Sequence, residues 1–328
     1  MNLNLLYRSV CAAGAALLLF GSSAAIADTF PNRPIRMVVP WPTGGGTDIT
    51  ARKLAEGLTT VLKQPVVVQN MGGANGVIGS SAVAKAHPDG YTIMVSTLTS
   101  HVTNPLMGQS LPYDSDKDFI PLTVMQSQPL VVVVPTASPF KTIDDVIAAA
   151  KSRSKAVNFA SFGTGSGSHL AGELLKLKAG INMTHVPYRG GGPALMDTIA
   201  GVVDLYFSGV NSALPHIKSG LLRPIALTGL QRSKVLPGVP TIAENPQFAG
   251  FKVEVPTASW VPAGTPPEIV AALRIAIVKV VRSAEYQSAL DAEGSYAIAG
   301  SEKDMREMAR EDSQVLGQVI RTAGIKMQ

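Results

Sequence analysis

The chain has 328 residues, 46% of them hydrophobic and 16% charged, with a formal net charge of +5; this excludes a disordered chain and supplies enough apolar material for two cores of ordinary size. Lys and Arg are scattered instead of gathered into a stripe, so nucleic acid is not an expected partner, and the mild basic excess favours acidic solutes. The single cysteine, Cys11, lies in the N-terminal segment, so the mature chain is expected to form no disulfide and to offer no thiolate to a metal or a catalytic site.

That segment reads as a leader. Arg8 precedes the apolar run from Val10 to Phe20, and Ala25-Ile26-Ala27 has the Ala-x-Ala form of a cleavage site. Residues 1–27 are therefore expected to be a secretory signal peptide, with the mature protein beginning near Asp28 and located in the periplasm. A membrane anchor is the weaker reading, because the run is shorter than the roughly 20 residues a bilayer requires. A lipid anchor would need a cysteine just after the run.

Short branched runs then alternate with helical patterns, which predicts an α/β protein with largely parallel sheets. Ile35–Val39 reads as a strand, Gly44-Gly45-Gly46 as a tight turn, and Ile49, Leu54, Ala55 and Leu58 as the apolar face of a helix with Thr47 or Asp48 as its N-cap. Pro65–Asn70 is a second strand, leading through Gly72, Gly73, Gly76 and Gly79 into a helix of small residues; His87–Gly90 is a turn and Tyr91–Ser96 a third strand. Between Leu111 and Pro139 five prolines punctuate two apolar runs, and this stretch is read as the crossing into a second domain. Thr142 to Asp145 resembles a capping box ahead of a helix. Val157–Ser161 and Met183–Tyr188 are strands that each end in glycines, Gly163, Gly165 and Gly167 in one case and Gly190-Gly191-Gly192 in the other, and each opens a helix. Further strands are expected at 202–208 and 222–228 with a short helix from Asn211 to Gly220 between them. A Pro-rich span from Pro237 to Pro267 carries the return, and a charged amphipathic helix runs from Glu302 to about Arg321.

Four strand-to-helix turns are thus rich in glycine: 44–46, 72–79, 163–167 and 190–192. In an open α/β sheet ligands bind outside the carboxyl ends of the strands, where these turns fall. Two precede the proposed crossing and two follow it. If each domain aims its pair at one cleft, several helix N-termini and uncovered amides meet an enclosed anion there.

The residues also carry a family resemblance. The order Pro34-Ile35, Val38-Val39-Pro40, Gly44-Gly45-Gly46-Thr47-Asp48, then Val68-Gln69-Asn70, Gly73-Ala74-Asn75-Gly76, Pro88-Asp89-Gly90-Tyr91-Thr92, and later Gly163-Thr164-Gly165, Ser168-His169-Leu170, His185-Val186-Pro187-Tyr188 and Pro240-Thr241-Ile242-Ala243-Glu244 resembles the Bug-type extracytoplasmic solute receptors of tripartite tricarboxylate transporters, over essentially the whole mature chain. The resemblance implies a two-lobed periplasmic-binding-protein (type II) fold, each lobe a mostly parallel sheet flanked by helices, with the ligand cleft between the lobes. The lobes are expected at 28–124 with 229–328, and at 125–228. It further implies that a ligand carboxylate is held by the first two turns, partly through ordered water, while the second lobe completes the pocket. Carried over residue by residue, the expected site is Trp41, Pro42, Thr43, Gly44, Gly45, Asp48, Ala74, Asn75 and Gly76 on one lobe, with Ser161, Gly163, Thr164, Gly165, Ser168, His169, Tyr188, Arg189 and Gly190 on the other. Trp41 stands where Phe is usual, Asn75 where Gly is usual, and Arg189-Gly190-Gly191 where Lys-Gly-Ser is usual. These departures bear on the identity of the ligand and not on the fold.

Trp41 either lays its ring against the ligand body, favouring an apolar or aromatic acid, or serves as packing. Arg189 either reaches a distal carboxylate with its planar fork or is a surface arginine beside a turn. Asp48 is read as shaping its turn, since a carboxylate repels an anion, and His169 as capping or orienting its own. His169 and Glu173 have half the spacing of a metal site but no second His or Cys joins them, so no metal is assigned, and no cofactor. The serines at 166 and 168 lack a nucleophile elbow, and there is neither a Walker A motif nor a dinucleotide fingerprint. The expected function is a monomeric solute-binding protein, not an enzyme, that captures a small organic mono- or dicarboxylate and delivers it to the membrane permease subunits of a tripartite transporter. The alternatives are a receptor for a membrane sensor kinase and a hydrolase or isomerase built on Ser168, His169 and a distant Asp.

Overall fold

Branched and apolar runs such as Ile35–Val39 and Leu130–Pro135 become largely buried strands. In the computed structural model, which describes residues 30–108, 110–152 and 156–326, the chain from Arg33 onward forms one unit. The leader, Cys11 and the expected cleavage site lie outside the described residues. β1 (Ile35–Val39), α1 (Gly46–Leu62), β2 (Val66–Asn70), α2 (Val77–Ala84) and β3 (Thr92–Thr97) follow in turn. Both β1 ladders are parallel, which places the strands in the order β2-β1-β3. α3 (Leu98–Leu106) leads to β4 (Phe119–Ser127) and, across a two-residue step, to β5 (Leu130–Pro135).

The same arrangement then repeats. After α4 (Ile143–Ser152) come β6 (Asn158–Ser161), α5 (Gly167–Ala179), β7 (Thr184–Pro187), α6 (Gly191–Ile199) and β8 (Leu205–Gly209). Parallel ladders again put the middle strand first, in the order β7-β6-β8. α7 (Val210–Lys218) and β9 (Leu222–Leu227) complete this half. The chain returns to the first sheet as β10 (Thr257–Pro262), followed by α8 (Pro267–Val281), α9 (Ala284–Asp291), β11 (Tyr296–Gly300) and α10 (Glu302–Ala323). The result is a six-stranded sheet, β11-β4-β10-β3-β1-β2, and a five-stranded sheet, β7-β6-β8-β5-β9.

The sheets are mixed where parallel ladders were expected to prevail, and the crossings are the reason. β5 runs against β8 and β9, and β10 against β3 and β4. Each is the first strand laid down after the chain changes sheet. Leu130 pairs with Gly209 and Thr257 with Thr97, so each entering strand starts where its neighbour ends and has to run the other way. In the second core, Val132, Phe159 and Phe207 are buried together with Ile242, Phe248, Phe251 and Val253 from the returning segment. The first core gathers Val38, Met94, Val124 and Trp260, with Met305 from α10.

Helix ends follow their sequence signals in two places. Thr142 accepts from the Asp145 N–H while Asp145 accepts from the Thr142 N–H, closing the expected capping box. Ser301 and Asp304 do the same for α10. This last helix packs Leu316, Val319 and Ile320 against Met107, just beyond α3, and Leu170 of α5, so it touches both halves.

On α10 the Asp312 carboxylate accepts the Thr99 hydroxyl at 3.0 Å. Burial raises its pKa from 3.8 to about 6, outweighing the Thr99 bond and Lys252, with Glu311 and Glu254 adding to the rise. A carboxyl whose folded pKa lies above its unfolded value penalises the folded state when ionised: the cost is absent below about pH 4 and complete above about pH 6. Asp312→Asn is expected to stabilise the protein by about 1–2 kcal/mol at pH 8 and to give no gain at pH 4. Urea unfolding at the two pH values checks this; an equal effect at both would exclude the charge as the cause.

Candidate functional site

β1 delivers the chain into Pro40-Trp41-Pro42 and then into glycines, and α1 begins earlier than the sequence suggests. Its N-cap is Gly45, with no side-chain cap, so neither Thr47 nor Asp48 caps it. Asp48 instead folds back from the first turn. Its carboxylate accepts the Gly44 N–H at 3.0 Å, Arg52 Nε at 3.1 Å and Asn70 Nδ2 at 2.9 Å, and the Asn70 amide also donates to the Trp41 carbonyl at 3.0 Å. Burial pushes the Asp48 carboxyl up, but Arg52, the Gly44 amide and Asn70 together hold it below its ordinary value. Gly44 sits at φ +84°, a left-handed conformation that costs a side-chain-bearing residue free energy.

The second turn is fixed from behind. Asn75, in a left-handed conformation at φ 52°, donates to Asn104 at 2.8 Å and accepts the Ser100 hydroxyl at 3.0 Å. In the third turn the Ser161 hydroxyl accepts the Gly163 N–H at 3.2 Å and lies 2.7 Å from His185 Nε2. His169 Nδ1 accepts the Gly165 N–H at 3.0 Å, so this nitrogen carries no proton, and the two imidazoles stack with centroids 3.6 Å apart. Burial and the neighbouring His169 lower His185 to about 3, which keeps it neutral. Ser166 caps α5, and Ser168 donates to the Phe207 carbonyl at 2.7 Å. In the fourth turn the Tyr188 hydroxyl donates to Asp197 at 2.7 Å, and burial with that carboxylate raises it to about 12.

The four glycine turns face one another across the gap between the sheets. The backbones meet: a Cβ on Gly190 would stand 2.2 Å from Pro42 Cγ, and one on Gly45 would stand 3.8 Å from the Gly191 nitrogen. Hydrogen bonds cross the gap as well, from Asn211 Nδ2 to the Gly46 carbonyl at 3.2 Å and from the Thr103 hydroxyl to the Gly165 carbonyl at 2.8 Å. Two cavities remain. The outer, of about 330 Å³, is lined by Trp41, Gly73, Ala74 and Asn75 from one half and by Phe162, Gly163, Thr164, Pro187, Tyr188 and Arg189 from the other. The inner, of about 30 Å³, is lined by Gly45, Gly46 and Thr47 at the start of α1, Gly191 at the start of α6, Gly209 and Ser212 at the start of α7, Thr97 before α3, and Gln128, Leu130, Tyr206 and Val255. Trp41 and Phe162 line both, ring edge to ring face with centroids 5.7 Å apart, and Trp41 Nε1 donates to Ser96 at 3.4 Å.

Electrostatically the pair of cavities suits an anion. Four helices open at the inner cavity alone, each presenting the positive end of its dipole and unpaired N–H groups. Among the described lining residues there is no carboxylate, and Arg189 carries the only formal charge. The Thr97 hydroxyl, which lines the inner cavity, and the side-chain oxygen of Asn211 are both buried without a hydrogen-bond partner.

Of the residues expected from sequence, Trp41, Gly45, Ala74, Asn75, Gly163, Thr164, Tyr188 and Arg189 line a cavity. Pro42 and Gly190 press on each other across the gap, and Thr43 is exposed, its hydroxyl donating to Asn70 at 3.3 Å. Gly44, Asp48, Gly76, Ser161, Gly165, Ser168 and His169 shape the turns without lining either cavity. Ser168 Oγ and His169 Nδ1 are each hydrogen-bonded to backbone and do not contact each other through these atoms. The turns after β3 and β8, with Thr97, Gly209 and Ser212, hold at most one glycine and carry no glycine signal in the sequence. The signal that finds them is topological, since each follows the third strand of a β2-β1-β3 unit.

Asp48→Ala removes the acceptor of three hydrogen bonds and is expected to cost about 2–3 kcal/mol at pH 7. Because the folded pKa is depressed, the contribution is present above the unfolded value and is lost as pH falls through the folded one. The gap between variant and wild type in denaturant unfolding should therefore narrow at pH 3; a constant gap would show that the charge does not hold the turn.

Residues 50–325 match the model of the tripartite tricarboxylate transporter family receptor. Protein BugT of Bordetella pertussis is 37% identical over 322 residues, covering 98% of each chain. Among solved structures, an R. palustris protein with adipate superposes with a TM-score of 0.87 at 33% identity, covering 90% of this chain and 99% of its own. MatC from Rhodopseudomonas palustris with bound malate gives 0.82 at 30% identity, covering 89% of this chain and all of its own. With this agreement over nearly its whole length, the chain belongs to the receptor family of the tripartite tricarboxylate transporters and has its two-lobed periplasmic-binding-protein fold.

Proposed function

We propose that the protein captures a small organic carboxylate in the periplasm, between its two lobes, and hands it unchanged to the membrane permease subunits of a tripartite transporter. The observation that carries this reading is the convergence of helix N-termini from both halves on cavities whose described lining holds no carboxylate. Amide groups held by folded backbone neutralise an anion without a reorganisation cost and without fixing a counter-ion at the bottom of the cleft. Proteins of this family with adipate and malate bound lend the reading its ligand class.

In this reading one carboxylate sits against Gly45, Gly46 and Thr47, with Thr97 and the α7 start opposite. Trp41, Ala74, Asn75, Gly163, Thr164 and Tyr188 enclose the ligand body. Gly44, Asp48, Gly76, Ser161, Gly165, Ser168 and His169 hold the turns in shape. We place the lobe boundaries at the crossings: residues 33–127 and 256–326 form one lobe, and 130–255 the other. The core contacts of Phe248, Phe251 and Val253 support assigning the returning segment to the second lobe. The leader, Cys11 included, directs export and is removed near Ala27.

The test is a thermal and calorimetric screen of mono- and dicarboxylates on the mature chain. A receptor should gain about 2.7 kcal/mol of stability at ligand a hundredfold above its dissociation constant, with the acid recovered intact. Conversion of the acid, or stabilisation by none of the series, would overturn the proposal.

A further inference from the structure

The outer cavity is asymmetric in charge. One wall is Trp41, Gly73, Ala74 and Asn75, which carry none, while the other ends in Arg189. The Arg189 side chain is exposed and has no hydrogen-bond or ion-pair partner among the described residues. The carboxylate that its neighbour reaches, Asp197, is engaged by the Tyr188 hydroxyl at 2.7 Å. The inner cavity, about 30 Å³, has room for a group of a few atoms at most, so the body of any larger ligand has to pass Trp41 and Phe162 into the outer cavity.

We propose that Arg189 is the specificity-determining residue of this cleft, selecting dicarboxylates over monocarboxylates by pairing with a second carboxylate that projects into the outer cavity. The inference rests on the carboxylate-receptor reading above. The amide groups of the helix starts hold the first carboxylate and treat mono- and diacids alike. Beyond Trp41 and Phe162, a monoacid presents a methyl group to the guanidinium, while a diacid presents two oxygens that match its planar fork. Ligand filling the cavity displaces water from one side of the guanidinium, so the pair is worth more than an ion pair on open surface.

The experiment compares dissociation constants by calorimetry for glutarate, adipate and pimelate against pentanoate, hexanoate and heptanoate, on wild type, Arg189→Met and Arg189→Lys. Wild type is expected to prefer the best diacid over its matched monoacid by about ten- to a hundredfold. In Arg189→Met that ratio should fall to within about threefold, and Arg189→Lys should restore part of it, since a point charge replaces the fork. The readout is a ratio measured on one variant, so a general loss of folding or closure cancels. A wild type without preference, or a preference that survives in Arg189→Met, overturns the inference and leaves the receptor reading standing. A wild type that binds neither series overturns both.

Discussion

Close approach of two backbones is the constraint on which the rest of this structure depends. Amides of different lobes can serve one small anion only if the turns that carry them come together with no side chains between, and here Pro42 lies on Gly190 and Gly45 beside Gly191. A Cβ on Gly190 would fall well inside the contact distance of the proline ring. Glycine here serves less to turn the chain than to let the halves meet. Closure is then completed by polar bonds from one half to backbone carbonyls of the other, Asn211 to Gly46 and Thr103 to Gly165. These bonds exist only when the lobes are together, so whatever stabilises the closed cleft and whatever binds in it draw on the same contacts.

Topology explains why so many helices open at one place. Each half is built on a unit in which the first strand lies in the middle, flanked by the second and third, and all three end at the cleft. Three helices start there in each half. The strands that enter from the opposite half, β5 and β10, begin at the same floor, since Leu130 pairs with Gly209 and Thr257 with Thr97. The crossings between the sheets and the bottom of the cleft are consequently made of the same residues, Gln128, Leu130 and Val255.

Much of this was legible in the sequence, in a specific way. Glycine clusters after branched runs located four of the turns, and proline-rich stretches marked both crossings. The direction of β5 and β10 was not legible, because an apolar run reads the same whichever way it is traversed. The starts of α3 and α7 escaped for a different reason. Thr97-Leu98 holds no glycine and Gly209-Val210 only one, whose neighbours are the side chains of Asn211 and Gln128. The N-cap of α1 was misplaced because Asp48, the best capping residue by type, is used to fold the preceding turn instead. Likewise Ser168 and His169 attract attention by residue type, yet their partners are a carbonyl and an amide of their own lobe.

The charges around the cleft follow one logic. A helix start that is to hold an anion is also attractive to the protein's own carboxylates, and Asp48 lies one turn into α1, where it would compete for the same dipole. The structure turns that carboxylate back onto the Gly44 amide and sets Arg52 against it at 3.0 Å, so the turn has no net charge and the amides of Gly45 and Gly46 stay available. In the other lobe His169 Nδ1 accepts the Gly165 N–H, and burial keeps the neighbouring His185 neutral. The described lining of the cleft then carries backbone dipoles and, in Arg189, a single formal charge.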